Sequence, residues 1–448
     1  MGDARDLTRG SIPGHLARLG LPMVLGVFAV LSISLVDTYF VGQLGTDELA
    51  ALSFTFPVVL TISSLSIGLS AGASSIVSRS IGSGDARSTR RLATDSLLLT
   101  GLVVALVCGL GLLAVRPLFA LLGAEGRVLD IVVEYMRVWF FGMPFLVVPM
   151  VGGGLIRANG DSVAPSLVMV LAAVVNVALD PAFIGGWGPL PALGVAGAAW
   201  ASLLARALAL AVTLWLLVVR ERLLSLRLPR WSEMMGSWRR VLSVGVPAAG
   251  SNMINPIAIS IVTGILATFG KDTVAAFGVA TRMESFACIP MLALSSAIGP
   301  IAGQNWGRDQ RDRTKAVMRA AFLFCLAYSV LVLAVFVFAA RPLLSVFTDD
   351  AAVVAEGATY LRVVGATLGG YGVIITASAA YNAIDQAVRG LGFTLLRSLG
   401  LYVPLASVSV VAGAAWVAFF GIALANALSG ALVLWLAFRW LPKDERKR

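Results

Sequence analysis

The sequence predicts an all-α polytopic membrane protein, with twelve transmembrane helices arranged as two homologous lobes of six helices. Three observations indicate this fold class. The 448 residues are 58% hydrophobic and only 13% charged, which is too apolar for ordinary soluble domains. Apolar segments long enough to cross a membrane recur along the whole chain, and the two halves of the chain resemble each other at a nearly constant spacing.

Each apolar segment has about 20 residues or more, and a helix of that length crosses a hydrocarbon core of about 30 Å. The first apolar run is too long for a cleavable signal peptide and lacks a small-residue cleavage site, so we expect it to remain as the first span. In order, the predicted spans are 14–38, 48–78, 92–115, 128–150, 163–183, 195–219, 240–268, 275–303, 317–340, 354–378, 391–411 and 416–440.

The positive charge is concentrated in alternate loops. The basic segments are the N-terminus with Arg5, Arg9 and Arg18, then 79–91, 220–240, 308–319 and the tail Lys443 to Arg448. The intervening loops are poor in basic residues, since 41–47 and 184–194 have none and 269–274 has only Lys271. The positive-inside rule therefore predicts that both termini are cytoplasmic. The net charge of +10 is explained by this pattern, and we expect no nucleic-acid partner.

An internal repeat relates the two halves. A shift of 225 residues superposes Gly20-Leu21-Pro22 on Gly245-Val246-Pro247, and Arg116-Pro117-Leu118 on Arg341-Pro342-Leu343. Later the shift becomes 216, where the sequence VAGAAW at Val195 recurs at Val411. Because six spans are an even number, the halves share one orientation and form parallel repeats about an axis along the membrane normal. We predict an N-terminal lobe at 1–219, a cytoplasmic linker at 220–239 and a C-terminal lobe at 240–448.

Two carboxylates break the apolar pattern of the first half. Asp37 lies in the first span, where a charge at the membrane centre costs about 2.5–3.5 kcal/mol; the alternative is that it is hydrated near the outer interface. Asp180 ends the fifth span, and Asn176 lies one helical turn before it on the same face. We expect Pro181 to fray the helix at Asp180. Two such carboxylates with nearby amides either bind a small cation or share a proton.

Several segments together resemble one family over about residues 14–440. They are LVDTYFVGQLGTDELAA, IGSGDARSTRR, NVALDPAFI followed by GVAGAAWAS, AAFGVATRMESFA and YNAIDQ. These segments are similar to the multidrug and toxic compound extrusion (MATE) family, and look like its DinF-like branch, because the seventh span lacks the carboxylate of the NorM-like branch. The resemblance implies two lobes around a V-shaped cavity, and antiport of amphipathic, often cationic compounds against a proton or sodium gradient.

The resemblance also implies the site residues. Cation-site positions of the family fall on Asp37, Asn176, Asp180 and Ser202, and sodium is a possible ligand of the first three. Ser202 stands where relatives often have threonine. Pro22 matches a proline at which the first helix bends, although Pro247 occupies the equivalent place in the half that lacks these carboxylates.

Two further charged residues are weaker candidates. Arg206, four residues after Ser202, either holds a carboxylate ionised or partners a helix end. Glu284 is more simply structural than accessory to transport, and it cannot face Arg282 because residues two apart lie on different helix faces.

Other function classes are disfavoured by the composition. One histidine, His15, and three scattered cysteines supply no catalytic cluster, which argues against an integral membrane enzyme. A flippase for lipid or lipid-linked oligosaccharide is the nearer alternative, but it would favour a more basic cavity and extra helices. We expect a monomeric multi-pass protein of the plasma membrane, with a small organic substrate, the bilayer as its surroundings and no cofactor beyond the coupling ion.

Overall fold

A computed structural model describes residues 6–42, 46–186, 193–225 and 231–439, and the regular structure in these ranges is helical. Some side chains near the outer end of the first helix, including that of Asp37, are not described. The N-terminal half contains α1 (Ile12–Gly42), α2 (Thr46–Ser83), α3 (Ala86–Leu121), α4 (Gly126–Ala158), α5 (Val163–Ile184) and α6 (Gly194–Trp215), which continues as a π-helical turn at Leu216–Arg220.

The C-terminal half contains more separate helical segments than the N-terminal half. It contains α7 (Trp231–Ala267), α8 (Lys271–Ala287), α9 (Ile289–Gly307), α10 (Arg311–Ser345), α11 (Ala351–Gly365), α12 (Leu368–Ala383), α13 (Ala387–Leu395), a π-helical stretch at Leu396–Tyr402, α14 (Val403–Ala412) and α15 (Ala415–Arg439). Among the described residues, ten helical segments are long and apolar enough to cross a membrane, and two bent pairs bring the number to twelve. The predicted all-helical fold with twelve spans is confirmed.

The bent pairs correct the prediction that every span is one continuous helix. The eighth span, predicted at 275–303, is α8 and α9 with a bend of 44°, and the tenth, predicted at 354–378, is α11 and α12 with a bend of 56°. Pro290 explains the first bend, because it has no N–H for the carbonyl of Phe286 and its ring crowds that carbonyl. The corresponding helices of the first half, α2 and α4, are each continuous.

α7 begins at Trp231, within the segment 220–239 that was predicted as the linker between the halves. Its first turns pack against α3. The indole N–H of Trp238 donates to the carbonyl oxygen of Asp95 at 2.9 Å, and Arg91 forms an ion pair with Glu233. The basic tail Lys443 to Arg448, together with Arg5 and the repeat position Gly45, lies outside the described residues.

Reciprocal contacts locate the two-fold axis that relates the lobes. A Cβ added to Gly82 would lie 2.0 Å from the carbonyl oxygen of Gln304, and one added to Gly307 would lie 2.0 Å from that of Arg79. Gly82 and Gly307 are equivalent in the repeat, and so are Arg79 and Gln304. Each contact is therefore the rotated copy of the other, as two parallel repeats require.

The same end of the bundle holds the basic loops and joins the lobes. We call it the basic end; it comprises the N-terminal segment 6–11 and the turns at 84–85, 159–162, 221–225, 308–310 and 384–386. Arg79 pairs with Asp385 at 3.0 Å, and the amide of Gln304 donates to the carbonyl oxygen of Ala158 at 2.8 Å. Arg319 lies 5.1 Å from the ring of Phe438, so the last helix ends here too. Both ends of the described chain therefore lie on the side that the positive-inside rule assigns to the cytoplasm.

The outer faces of α3, α10 and α15 show what a lipid-facing surface looks like in this protein. Many of their exposed side chains are large and apolar, as expected for a surface in contact with hydrocarbon. They include Leu98, Leu102, Leu106, Leu110 and Leu113 on α3, Leu323, Phe324, Val330, Leu331 and Phe338 on α10, and Trp416, Phe420, Leu424, Leu428 and Trp435 on α15.

Candidate functional site

The N-terminal lobe brings three of the predicted cation-site residues together. The side-chain amide of Asn176 donates to Oδ1 of Asp180 and to Oγ of Ser202, at 3.2 Å in both cases. All three side chains are buried. The i, i+4 spacing on α5 aligns the amide with the carboxylate, and α6 contributes the hydroxyl from the neighbouring helix. Asn176, Asp180 and Ser202 are hereafter the N-lobe cluster.

Helix α1 runs beside α5 in a constant register. Ser162 donates its hydroxyl proton to the carbonyl oxygen of Leu19 at 2.7 Å, and Ser166 contacts the sulfur of Met23 at 3.3 Å. A Cβ added to Gly26 would lie 3.0 Å from the sulfur of Met169. In each of these pairs the partners are 143 residues apart.

The same register extends to the outer end of α1, where Val41 packs with Ile184. Asp37 precedes Val41 by one helical turn, and Asp180 precedes Ile184 by one turn. The two carboxylate-bearing residues therefore lie at the same height on neighbouring parallel helices. This placement follows from the backbones alone, since the side chain of Asp37 is not described.

The two prolines near these residues do not interrupt their helices. α1 remains helical through Pro22, and its predicted role as a switch stays a prediction. The expectation that Pro181 frays α5 at Asp180 is wrong, because the helix continues to Ile184. The N–H of Gly185 donates to the carbonyl oxygen of Pro181 at 3.2 Å. Pro181 lies in the last turn of α5, and its lack of an N–H removes one helical hydrogen bond there.

The two accessory candidates lie in different lobes. Arg206 is half-buried on α6, one turn beyond Ser202, and its role stays a prediction. Glu284 is not part of the N-lobe cluster. It lies on α8 and accepts a hydrogen bond from the hydroxyl of Tyr360 at 2.5 Å, with the Tyr360 ring packed edge-on against Phe277 and Phe419.

A second polar cluster, around Arg397, was not predicted. The Arg397 side chain is buried, and its Nε and Nη1 donate to the amide oxygens of Asn426 and Asn255 at 2.9 and 2.8 Å. Its guanidinium lies 4.0 Å from the ring centre of Tyr371. The residue stands in the π-helical stretch of the eleventh span, and π-helical turns are frequent at functional sites. An arginine inside a predicted span was the signal that could have revealed it.

The oxygen atoms of the N-lobe cluster are of the kinds that bind a small hard cation or a proton. Carboxylate, amide and hydroxyl oxygens are the groups that hard cations prefer. The amide oxygen of Asn176 is buried and accepts no hydrogen bond from the described residues. An acceptor of this kind fits either a bound cation or the proton of a neutral carboxyl group. No group of three or more His, Cys, Asp or Glu side chains suited to a metal ion occurs within the described ranges.

Comparison with known proteins gives the family. The MatE family model matches residues 22–182 and 247–408, two blocks that begin at the repeat-equivalent prolines Pro22 and Pro247. The FAD transporter of Shewanella oneidensis is 37% identical over 439 residues, which cover 98% of this chain and 97% of that protein.

Solved structures agree over nearly the whole chain. A mutant of the Vibrio cholerae MATE transporter VcmN superposes with a TM-score of 0.90 and 28% identity, covering 96% of each chain. The outward-facing conformation of a multidrug resistance MATE family transporter gives a TM-score of 0.91 and 28% identity, covering 98% of each chain. Because one family model matches both halves and the relatives align end to end, the chain belongs to the MatE family of membrane transporters.

Proposed function

We propose that the protein is a cation-coupled antiporter that exports organic compounds by alternating access, with protons or sodium ions acting at Asp37 and the N-lobe cluster. The observation that carries the proposal is the Asn176 amide. It joins Asp180 to Ser202 at the height of Asp37 and leaves one buried acceptor oxygen without a donor among the described residues. A cation or a proton would supply the missing partner.

The coupling follows from the cost of burying charge. Two carboxylates held close together in a low-dielectric lobe would repel each other, and Asp180, which is buried, also has the cost of desolvation. A proton or sodium ion arriving from outside neutralises them, and we expect this to favour rearrangement of α1, release of the substrate and return to the inward-facing form. Because linkage is reciprocal, an ion that weakens substrate binding is itself bound more weakly when substrate is present.

The lobes are joined at the basic end, which corresponds to the outward-facing half of this cycle. In that form the ion reaches the N-terminal lobe from outside the cell. We place the protein in the plasma membrane as a monomer of the DinF-like branch. The absence of a carboxylate from α7 beyond its first turn supports the branch, because it leaves the carboxylates of the N-terminal lobe to carry the coupling.

Gradient-driven efflux tests the proposal. Purified protein in proteoliposomes of defined orientation is loaded with a fluorescent cationic dye, and a pH or sodium gradient is imposed separately. We expect export to follow one gradient and to be lost in Asp37→Asn and Asp180→Asn. Asp349→Asn, an exposed carboxylate in the loop before α11, is the matched control and should export normally. Normal gradient-driven export by Asp37→Asn or by Asp180→Asn would contradict the proposal.

A second candidate concerns the substrate. The relative from Shewanella oneidensis is named as an FAD transporter and is 37% identical over almost the whole chain, so FAD is a candidate cargo. Efflux of FAD from the same proteoliposomes, measured by flavin fluorescence, tests it against the cationic dyes. Export of FAD but of none of the dyes would replace the multidrug assignment with a narrow one. A lipid or lipid-linked oligosaccharide flippase remains the alternative if neither class moves.

A further inference from the structure

One face of α8 is exposed but does not resemble a lipid-facing surface. Its exposed residues, spaced by three or four positions, are Ala275, Gly278, Arg282 and Ser285. These four side chains are small or polar and include a charge in mid-span, whereas the exposed faces of α3, α10 and α15 carry many large apolar side chains. Charged side chains within a membrane span face a protein interior or a water-filled cavity rather than lipid. This face, which we call the α8 face, therefore borders water.

The α8 face is turned toward the N-terminal lobe. Phe286 lies one turn beyond Arg282 toward the basic end, and its ring centre is 6.2 Å from that of Phe28 on α1. Phe28 remains 51% exposed despite this contact. On the other side of the contact, a Cβ added to Gly278 would meet no atom within 4 Å. Gly278, Arg282 and Phe286 are spaced by four residues and share one face of α8. Arg282 therefore lies between the contact with α1 and the open space at Gly278, where it lines the cleft between the lobes.

Arg282 has no partner among the described residues. It lies about 16 Å along α8 from Lys271, deep within the span, and forms no ion pair or hydrogen bond with a described side chain. The nearest carboxylate in sequence, Glu284, is directed into the lobe toward Tyr360. The positive charge is thus free to face the cleft.

We propose that Arg282 binds a phosphate group of the exported molecule, and that Phe28 and Phe286 contact its planar aromatic part. A guanidinium binds phosphate through paired N–H donors, and the two rings lie one helical turn away on the side where the cleft ends. The substrate class is therefore a phosphorylated compound with a planar aromatic ring. This inference rests on the proposed export function and narrows its substrate.

Binding of three flavins to the purified full chain isolates the phosphate. FAD has two phosphates, FMN has one and riboflavin has none, while all three share the same ring. We expect Arg282→Gln to weaken FAD and FMN binding about tenfold or more, as the loss of a charge-assisted hydrogen bond implies, and to change riboflavin binding less than about twofold. Arg282→Lys should recover part of the affinity. The measurement is quenching of flavin fluorescence.

A matched control separates the local charge from a general loss of positive charge. Arg341 is an exposed arginine at the outer end of α10 with no partner among the described residues, and Arg341→Gln should bind all three flavins like the wild type. Equal weakening of all three flavins by Arg282→Gln, or no weakening of any, would overturn the proposal. Failure of the wild-type protein to bind either phosphorylated flavin would also overturn it.

Transport assays distinguish failure of this inference from failure of the proposed function. If Arg282→Gln stops FAD efflux while gradient-driven export of a cationic dye continues, phosphate recognition is supported. If the wild type exports dye under a gradient but neither binds nor moves FAD or FMN, antiport stands and the substrate class is wrong. If no gradient moves any solute while FAD still binds through Arg282, the antiport proposal fails and the phosphate site stands.

Discussion

At the scale of single residues, the amide of Asn176 determines the geometry of the N-lobe cluster. It donates to a carboxylate on its own helix and to a hydroxyl on the next one, so it fixes the distance between α5 and α6 at this height. The hydroxyl that it meets belongs to Ser202, at a position where the family resemblance implies threonine in many members. Since only the oxygen accepts the hydrogen bond, the missing methyl group affects packing rather than bonding.

Substitution of Ser202 tests this distinction. Ser202→Thr keeps the hydroxyl, and we expect unchanged coupling. Ser202→Ala removes one of the two acceptors of the Asn176 amide, and the loss of a buried hydrogen bond worth about 0.5–1.5 kcal/mol should raise the cation concentration for half-maximal efflux by roughly 2- to 10-fold. The titration of dye efflux against external pH or sodium measures it. Equal behaviour of the alanine and threonine variants would remove Ser202 from the cation site.

The hydrogen bond between Tyr360 and Glu284 allows a prediction about stability. Tyr360→Phe leaves the ring packed against Phe277 and Phe419 but removes the donor to the carboxylate. An unsatisfied polar group in this position costs about 1–3 kcal/mol, so we expect a lower midpoint of thermal unfolding in detergent. Tyr39→Phe, a change at a side chain that is 65% exposed, is the control. An unchanged midpoint for Tyr360→Phe would mean that the bond contributes nothing to stability.

At the scale of helices, the close packing of α2 and α9 depends on residues without side chains. Gly82 and Gly307 bring the two backbones together at the basic end, because each lies where a Cβ would overlap a carbonyl oxygen of the other helix. A backbone carbonyl within a helix cannot move aside as the tip of a flexible side chain can. These two glycines therefore permit the closed contact between the lobes.

We predict that Gly307→Ala opens the basic end. The added Cβ would overlap the carbonyl oxygen of Arg79 at 2.0 Å, so the form open to the cytoplasm should gain population. Spin labels at the exposed positions Arg87 and Val388 of opposite lobes, with the three native cysteines replaced, report the opening as a longer distance. Gly299→Ala, on the same helix but with no atom within 4 Å of the added Cβ, should leave the distance unchanged. An unchanged distance in Gly307→Ala would refute this role.

At the scale of the whole molecule, the N-terminal segment ties the two lobes together. The N–H of Leu7 donates to the side chain of Gln304 at 3.1 Å, and Arg308 donates to the hydroxyl of Thr8 at 2.8 Å. Asp6 organises this segment. Partial burial alone would raise the pKa of its carboxyl group, but hydrogen bonds from Thr8 and the charges of Arg308 and Arg9 lower the pKa overall.

The lowered pKa sets the pH dependence of this contact. A carboxyl group whose pKa is lower in the folded state stabilises that state above its ordinary pKa, and the stabilisation is lost as the pH falls through the folded value. We expect the hydrogen-exchange protection factor of the Leu7 amide to be constant from about pH 8 to pH 5 and to fall only below about pH 4. Asp6→Asn should reduce the protection already at neutral pH. A loss of protection between pH 8 and pH 5 would contradict the assignment to Asp6.

The repeat relates the lobes, but the two lobes differ in their polar residues and in the continuity of their helices. The carboxylates Asp37 and Asp180 lie only in the N-terminal lobe, whereas the bent spans and the buried Arg397 lie in the C-terminal lobe. We interpret this asymmetry as a division of tasks, with ion coupling in the first lobe and substrate recognition along α8 in the second. Both tasks meet at the cleft above Phe28 and Phe286.

The sequence by itself determined the number of spans, the parallel repeat and the shared helical face of Asn176 and Asp180; it also predicts the orientation of the spans, and Ser202 was predicted through the family resemblance. Hydrophobic length and the distribution of arginine act locally, and a helical spacing such as that from Asn176 to Asp180 already fixes a shared face. Such features need no knowledge of which helices are neighbours. They are therefore readable from a single chain.

Only the tertiary structure decided which residues meet across helices. The register of α1 against α5, the burial of Arg397 among Asn255 and Asn426, and the bend at Ala366 and Thr367, where no proline marks it, depend on packing between segments distant in sequence. The sequence likewise shows Arg282 and Glu284 as close neighbours with opposite charge. Packing turns one toward Tyr360 and leaves the other in the cleft, because the helix directs residues two apart to different faces and the fold determines what each face meets.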